Sequence, residues 1–440
     1  MSTLTDRFCL DRQTGNRINV AGAVALIVAV ATVLQLARQA AVSAWDTVWA
    51  EDGSVFLADA LEHPFFSTLF EPHGGYLHLV PRLVAGLAAS LPLELAAPTF
   101  NVVSALVVSL LAAFVYLASA NKLQARSSRL ALSTLVALLP AAGSELLGNA
   151  ANLHFYLIFA CFWALLWRSD SRGALGARVA VVLATTLSDP LAVLLAPLAL
   201  ADALARRSRR ALAVPGAFVL GLALQLAAIA ASESPQRLTR FDAADVVPLF
   251  ALRVAGSLTV GDRFIDDLWF AFGKGFSYGV LGLVAAGLVA GVARSPRRTR
   301  LFAAVCIAYS VLFFVVFLVG RGSAGMRPGT DEATWHLAGA RFTYAPILFL
   351  AAACLAIVDA RPRPVGGVRR LLAARIALGA VTILVAANFS FQSERSLGPT
   401  WSSELSAARE DCADGDPQAH LRVAPAPFGF GLTIACRRLT

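Results

Sequence analysis

Long apolar runs divide this chain, with short arginine-rich segments between them. Ile18–Ala37, Ala96–Ala118, Ala211–Ala231, Leu301–Gly320 and Phe342–Ala360 are nearly free of polar residues. Each approaches or exceeds the roughly 18 to 20 residues that a helix needs to cross about 30 Å of hydrocarbon. Such spans must be helical, because no water is present there to satisfy unpaired backbone groups. Ile18–Ala37 is longer than the apolar core of a signal peptide and lacks a small-residue cleavage site, so it reads as a retained first span. Composition agrees: 58% of residues are hydrophobic and 15% charged, with a mean hydropathy of +0.68, which leaves too little polar surface to coat a soluble globule of 440 residues.

The net charge of +9 marks orientation. Asn121–Arg129, Arg168–Arg178, Arg206–Arg210, Arg294–Arg300 and Arg361–Arg370 hold many basic residues and one acid, Asp170. The positive-inside rule puts these loops in the cytoplasm, with the N-terminus and its Arg7, Arg12 and Arg17. Because the arginines are dispersed over inter-helix loops, nucleic acid is not the expected partner. The external pieces become Gln39–Leu79, Gly143–Asn152, the turn Ser188–Asp189–Pro190, Ser232–Gly275, Arg321–Arg341 and the tail from Ser390. About eleven crossings satisfy the alternation, so the expected fold is an all-α, polytopic transmembrane helical bundle with external loop helices. Leu130–Ala142 and Leu153–Trp167 are short for full spans, and Val80–Leu91 is expected as a short helix entering from the outer side or lying at the interface. Residues 1–389 form the membrane domain, with external loops 39–79 and 232–275; residues 390–440 form a short extracytoplasmic cap. The expected location is the plasma membrane of a bacterium.

Cys161, Cys306 and Cys354 lie in apolar runs and Cys9 in the cytoplasm, whereas Cys412 and Cys436 share the external tail, where an oxidising compartment permits a disulfide. All six histidines, His63, His73, His78, His154, His336 and His420, fall on the outer side or its boundary, which directs attention there. From Arg38 to Arg82 the chain carries Asp46, Glu51, Asp52, Asp59, Glu62 and Glu71 with no intervening Lys or Arg. Glu51 and Asp52 precede a helix expected over Ser54–Leu61, where they favour the positive end of its dipole; Asp52, Phe56 and Asp59 would share one of its faces. A carboxylate at this rim could also act as a general base or bind a divalent metal such as Mg or Mn. His73, Tyr76, His78 and Arg82 follow, suited to holding a sugar and a phosphate together, or to an interfacial belt. Glu145, Asn149, Asn152 and His154 form a structured second turn over the site, or cap two short helices. Arg341 and Tyr344 stand at the outer mouth of a late span, where arginine binds a lipid phosphate or snorkels.

This layout of an acidic pair, a His- and Pro-containing stretch entering the next helix, short polar turns and a late Arg-aromatic element resembles the GT-C superfamily of polytopic glycosyltransferases. Here Glu51 precedes Asp52, whereas that family often has Asp before Glu, and Pro72-His73-Gly-Gly-Tyr76 matches its His-Pro-Pro pattern loosely. The resemblance implies that Asp52 or Glu51 is catalytic, as base or metal ligand. It implies a polyprenyl-phosphate-linked sugar as donor and a glycan, lipid or protein as acceptor, with membrane lipids around the chain and His73, Tyr76, His78, Arg82, Glu145, Asn152, His154, Arg341 and Tyr344 at the substrate. No Walker A or G-x-G-x-x-G phosphate loop occurs on the cytoplasmic side, which argues against an ATP-driven pump or a nucleotide-sugar enzyme. A transporter or lipid flippase, the strongest competitor, predicts paired charges near mid-span and repeated halves. A non-catalytic scaffold of envelope assembly would tolerate losing both acids.

Overall fold

The computed structural model describes residues 20–39, 45–143, 145–169, 171–205, 212–232, 242–322, 326–327, 339–360, 368–390, 398–423 and 429–439. Arg7, Cys9, Arg12, Arg17, Asp170, His336 and the basic segments 206–210 and 361–367 lie outside these. In chain order the helices are α1 (Val20–Arg38), α2 (Ala58–Glu62), α3 (Phe65–Thr68), α4 (Leu79–Ala89), α5 (Ala96–Ala118), α6 (Arg126–Leu138) and α7 (Leu153–Leu166). Then come α8 (Arg172–Thr186), α9 (Ala196–Ala205), α10 (Ala213–Ala231), α11 (Val246–Phe250), α12 (Ser257–Thr259), α13 (Asp262–Phe272) and α14 (Lys274–Arg294). The last are α15 (Arg297–Arg321), α16 (Ala340–Asp359), α17 (Val368–Ala387) and α18 (Trp401–Ala413), before a hairpin of β1 (Gln418–Arg422) and β2 (Gly431–Ala435).

By length and composition, six of the described helices are able to cross a membrane: Ala21–Arg38, Leu93–Asn121, Ala213–Ala231, Lys274–Arg294, Arg297–Arg321 and Ala340–Asp359. Loop alternation had asked for about eleven. Much of the difference lies in helices too short to span: α7, for example, is buried along all of its length except Leu166, so protein rather than lipid surrounds it. Its Phe159, Phe162 and Trp163 meet Phe302 and Tyr309 of α15 and Phe349 of α16, with Phe162 and Phe349 ring centroids 5.0 Å apart and edge-on. Such edge-to-face pairs add roughly 0.5–1.5 kcal/mol each beyond area burial.

The loops sort by charge. At one end Asn121 bonds the Arg168 carbonyl (3.2 Å), Lys122 lies over Phe302 (5.5 Å), and Asp359 accepts the Ala125 N–H (2.9 Å), so three loops with basic residues meet. At the other end the buried Arg38 guanidinium donates to the carbonyls of Leu139, Pro140, Asn388 and Phe389, drawing together the ends of α1, α6 and α17. Arg178, expected in a basic loop, is instead inside α8, wholly buried; its Nε donates to the Ala164 carbonyl (2.7 Å) and it pairs with Asp202 of α9 at 3.0 Å. An unpaired guanidinium could not be buried at tolerable cost.

α4 returns the chain to the end it left. Its start is tied to Leu187 and Ser188 through the Leu79 and Val80 N–H groups, and just beyond its end the Leu93 carbonyl accepts from Trp401 Nε1 (2.6 Å). The C-terminal unit packs over that same end: Trp401 and Ser402 bond Asp46, Arg409 pairs with Glu94, and Arg438 donates to the Leu61 carbonyl. Within it Glu404 bonds the Arg422 N–H and guanidinium, and Cys412 and Cys436 form a disulfide with Cα atoms 5.6 Å apart. Closing a loop of this length, 24 residues apart, lowers the entropy of the unfolded chain by about 3 kcal/mol. The double substitution C412S/C436S is expected to leave the helical bundle intact while trypsin cleaves around Arg422 and Arg437 at least several-fold faster, followed on gels in detergent.

Candidate active site

The first acidic loop folds back on itself. Asp52–Leu57 forms one π-helical turn leading into α2, a wide register often found at functional sites. Gly53 is needed there: a Cβ atom would stand 2.7 Å from Val423 of the C-terminal unit. Asp52 is fully buried and accepts the N–H groups of Ala150 (2.8 Å) and Ala151 (2.7 Å); Phe56 packs on His73 and His78; Asp59 pairs with Arg82 at 3.0 Å. Asp52 therefore bolts the first loop to the second turn. Its neighbour Glu51 is half-buried and accepts no hydrogen bond from a described residue, which leaves it the carboxylate of the pair that can meet a ligand.

His73-Gly74-Gly75-Tyr76 is a tight turn closed by hydrogen bonds between His73 and Tyr76 (2.9 and 3.3 Å), and both glycines have positive φ, 58° and 89°, which side chains resist. The turn gathers the aromatic and imidazole rings. Tyr76 and His78 lie 4.1 Å apart, His73 and His78 5.7 Å, and His78 and His154, the latter from the start of α7, 6.2 Å. His78 Nε2 donates to the His73 carbonyl (3.1 Å), so its Nδ1 carries the lone pair, and that nitrogen is buried without a described partner. His154 Nδ1 lies 2.7 Å from Asp189 Oδ2, while Asp189 Oδ1 accepts the Leu191 N–H (2.8 Å). Arg82 donates to Asp59 and the Glu71 carbonyl and lies over Phe56, bracing the loop.

Burial dominates the electrostatics. It holds His73 below the usual imidazole range, partly offset by the Glu51 carboxylate. His78 is pushed well below that range by burial and by the neighbouring imidazoles of His154 and His73. Burial likewise raises the Tyr76 phenol, with Asp189 adding to the effect and Arg321 and Arg341 opposing it. Two neutral imidazoles, a neutral phenol, a carboxylate and two guanidiniums thus share one neighbourhood.

The arginines come from the facing helices. Glu145 accepts the N–H groups of Gly339 (3.1 Å) and Arg341 (3.0 Å), capping α16, and its carbonyl receives the side-chain amides of Asn149 (2.6 Å) and Asn152 (3.0 Å). Of the two residues expected at the substrate, Glu145 thereby holds the second turn to α16 and Asn152 bonds within that turn. Arg341 and Arg321, the latter at the end of α15, flank the same ring, 5.0 and 5.9 Å from Phe342, and neither forms an ion pair with a described residue. Tyr344 stands apart in the packed interior: its hydroxyl donates to the Val136 carbonyl and its ring lies 4.5 Å from Tyr156. Arg321 and Asp189 were not singled out by motif; the available signal was their position, one ending a long apolar run and the other ahead of Pro190 in an outer turn.

An apolar groove of about 370 Å³ lies between α4, α5, α7 and α8, lined by Val80, Leu83, Leu87, Val107, Leu110, Leu157 and Ala184, with none of the cluster's own side chains in its wall. Leu157 is one helical turn below His154. Among the described residues no three His, Cys, Asp or Glu side chains converge to hold a metal ion, and both Asp52 oxygens face amides.

Asp52→Ala would orphan two buried N–H groups at about 1–3 kcal/mol each; the expected result is a large loss of melting temperature in detergent, whereas Glu51→Gln shifts it little. Because His73 and His78 are held below 6.5 in the fold, the unfolded chain binds more protons than the native one as pH falls past that value. Stability is therefore full above about 6.5 and declines below it, and His78→Gln should flatten this slope in melting curves between pH 7 and 5.

No protein-family model matches the sequence, and no curated protein matches it. Among solved structures the chain is similar to the oligosaccharyltransferase of Archaeoglobus fulgidus, crystallised with Zn and sulfate, at a TM-score of 0.43 and 16% identity. The match covers 88% of this chain but 56% of that protein, so the chain spans little more than half its length, and a likeness this distant carries no argument about activity.

Proposed function

We propose that this chain is a membrane glycosyltransferase that moves a sugar from a polyprenyl-phosphate donor to the hydroxyl of a glycan, lipid or protein acceptor on the outer side of the membrane. The observation that carries the reading is the joining of three chemistries at one end of the bundle. An apolar groove runs between α4 and α7, the helices at whose starts the acceptor-rich rings of His78 and His154 stand, and two arginines without described ion-pair partners flank Phe342. A lipid-linked sugar phosphate has the matching parts: hydrocarbon for the groove, phosphate for the guanidiniums, hydroxyls for the imidazoles.

Glycosyl transfer proceeds through a centre with oxocarbenium character, which a carboxylate stabilises by charge, and an acceptor hydroxyl must lose its proton. Glu51 is the carboxylate suited to meet the sugar, in one of those two roles. Asp52 acts through position: by fixing Ala150 and Ala151 it sets the start of α7 and hence His154. Arg321 and Arg341 stabilise the departing phosphate, whose charge grows as the bond to the sugar breaks. The transport alternative draws on one observation, the buried Arg178–Asp202 pair, but both groups are engaged within the fold and lie on α8 and α9 rather than along a path.

In membranes supplied with a range of polyprenyl-phosphate sugars, Glu51→Gln and the pair R321Q/R341Q are each expected to reduce transfer about 100-fold or more at unchanged expression. Full transfer by both variants would remove these residues from the reaction, and uptake or flipping of lipid by a wild-type chain that transfers nothing would favour transport.

A further inference from the structure

The cluster contains a proton acceptor that the acidic pair does not supply. His154 and Asp189 are buried, 8% and 2% exposed, and separated by 2.7 Å between Nδ1 and Oδ2. An ionised carboxylate only accepts, so the proton sits on Nδ1 and the lone pair on Nε2. Asp189 is itself fixed, because its second oxygen takes the Leu191 N–H at the start of the Pro190 turn. No described residue bonds His154 Nε2. Facing the ring from the loop ahead of α4 is His78, with its own bare Nδ1, and beside that is Tyr76. Farther out are His73, Glu51 on the π-helical turn, Arg321 on α15 and Arg341 on α16, the last three in electrostatic reach of Tyr76. His154 Nε2 thus offers a lone pair of fixed direction, a setting for a hydroxyl donor.

We infer that the His154–Asp189 pair is the general base of the transfer. As the acceptor oxygen bonds the anomeric carbon, its proton passes to His154 Nε2; the bond from that carbon to the phosphate oxygen breaks, and its electron pair leaves with the phosphate. The imidazolium so formed is stabilised by Asp189, a positioning residue, and later returns the proton to the released phosphate or to water. Glu51 is then left to stabilise the oxocarbenium-like centre. This assignment rests on the glycosyl-transfer reading.

The test uses the full chain in lipid nanodiscs with a polyprenyl-phosphate sugar that the wild type accepts. Expected are a kcat that falls on the acid side of its pH profile in the wild type, a loss of about 100-fold or more in kcat for His154→Gln with that acid limb abolished, and a smaller loss for Asp189→Asn. KM for the donor should stay within about threefold, and Glu51→Gln should keep the acid limb while losing rate. An acid limb that survives in His154→Gln and disappears in Glu51→Gln overturns the inference and leaves glycosyl transfer standing. Absence of transfer by the wild type from every lipid-linked donor overturns both. Should His154→Gln not fold, 15N-histidine NMR of the wild-type and Asp189→Asn chains decides: a protonated Nδ1 and bare Nε2 on His154 that respond to Asp189→Asn are expected, and the opposite tautomer overturns the assignment.

Discussion

Carboxylates that accept backbone N–H groups hold this molecule in register. Asp52 ties the first loop to the turn ahead of α7, Glu145 ties that turn to the start of α16, and Asp189 joins the turn after α8 to His154. Asp359 does the same at the opposite end, binding the Ala125 amide ahead of α6, and Glu404 does so within the C-terminal unit. A charged acceptor in a poorly solvated place makes a stronger bond than a neutral one, and leaving either partner unpaired there costs more than on a wet surface. Loops between apolar helices have little hydrophobic area of their own to hold them, so these few bonds decide where each turn stands.

The same bonds sort the acids into those that build and those that are available. Of adjacent Glu51 and Asp52, the second is consumed by two amides and the first is left facing His73 and Tyr76. The neutral state of His73 and His78 follows from burial, and neutral imidazoles suit a site that must accept hydrogen bonds rather than repel a guanidinium. Arg321 and Arg341 stay distinct from that side because Glu145 uses its carboxylate on the α16 backbone and leaves the Arg341 guanidinium without a described acidic partner.

The C-terminal unit belongs to this arrangement. Val423 rests against Gly53 in the π-helical turn, and Trp401 reaches the Leu93 carbonyl, so the helix, hairpin and disulfide press on the loop that carries Glu51. A loop of short helices such as α2 and α3 is marginal by itself; a covalently closed lid at its back limits how far it can relax.

The class of the molecule was legible in the chain because it depends on sums: runs of apolar residues long enough to cross hydrocarbon and arginines gathered in a few loops need no knowledge of neighbours. The rings around His73, Tyr76, His78 and His154 were within reach for a related reason, since they flank consecutive turns at one end of the helices. Pairing is different. That Asp52 faces Ala150, that Glu145 caps α16, that Tyr344 is packed on Tyr156 and that Arg178 meets Asp202 are contacts between residues 24 to nearly 200 positions apart, and nothing local to either partner specifies them. Even α7 could not be placed by its own composition: a wholly apolar helix of its length suits a lipid-facing or a central position equally. Sequence alone therefore determined that the chain is a bundle of apolar helices and directed attention to one end of it; only the folded chain decided which acid is structural and which cations lack a described acidic partner, because those outcomes depend on which buried amide each carboxylate reaches.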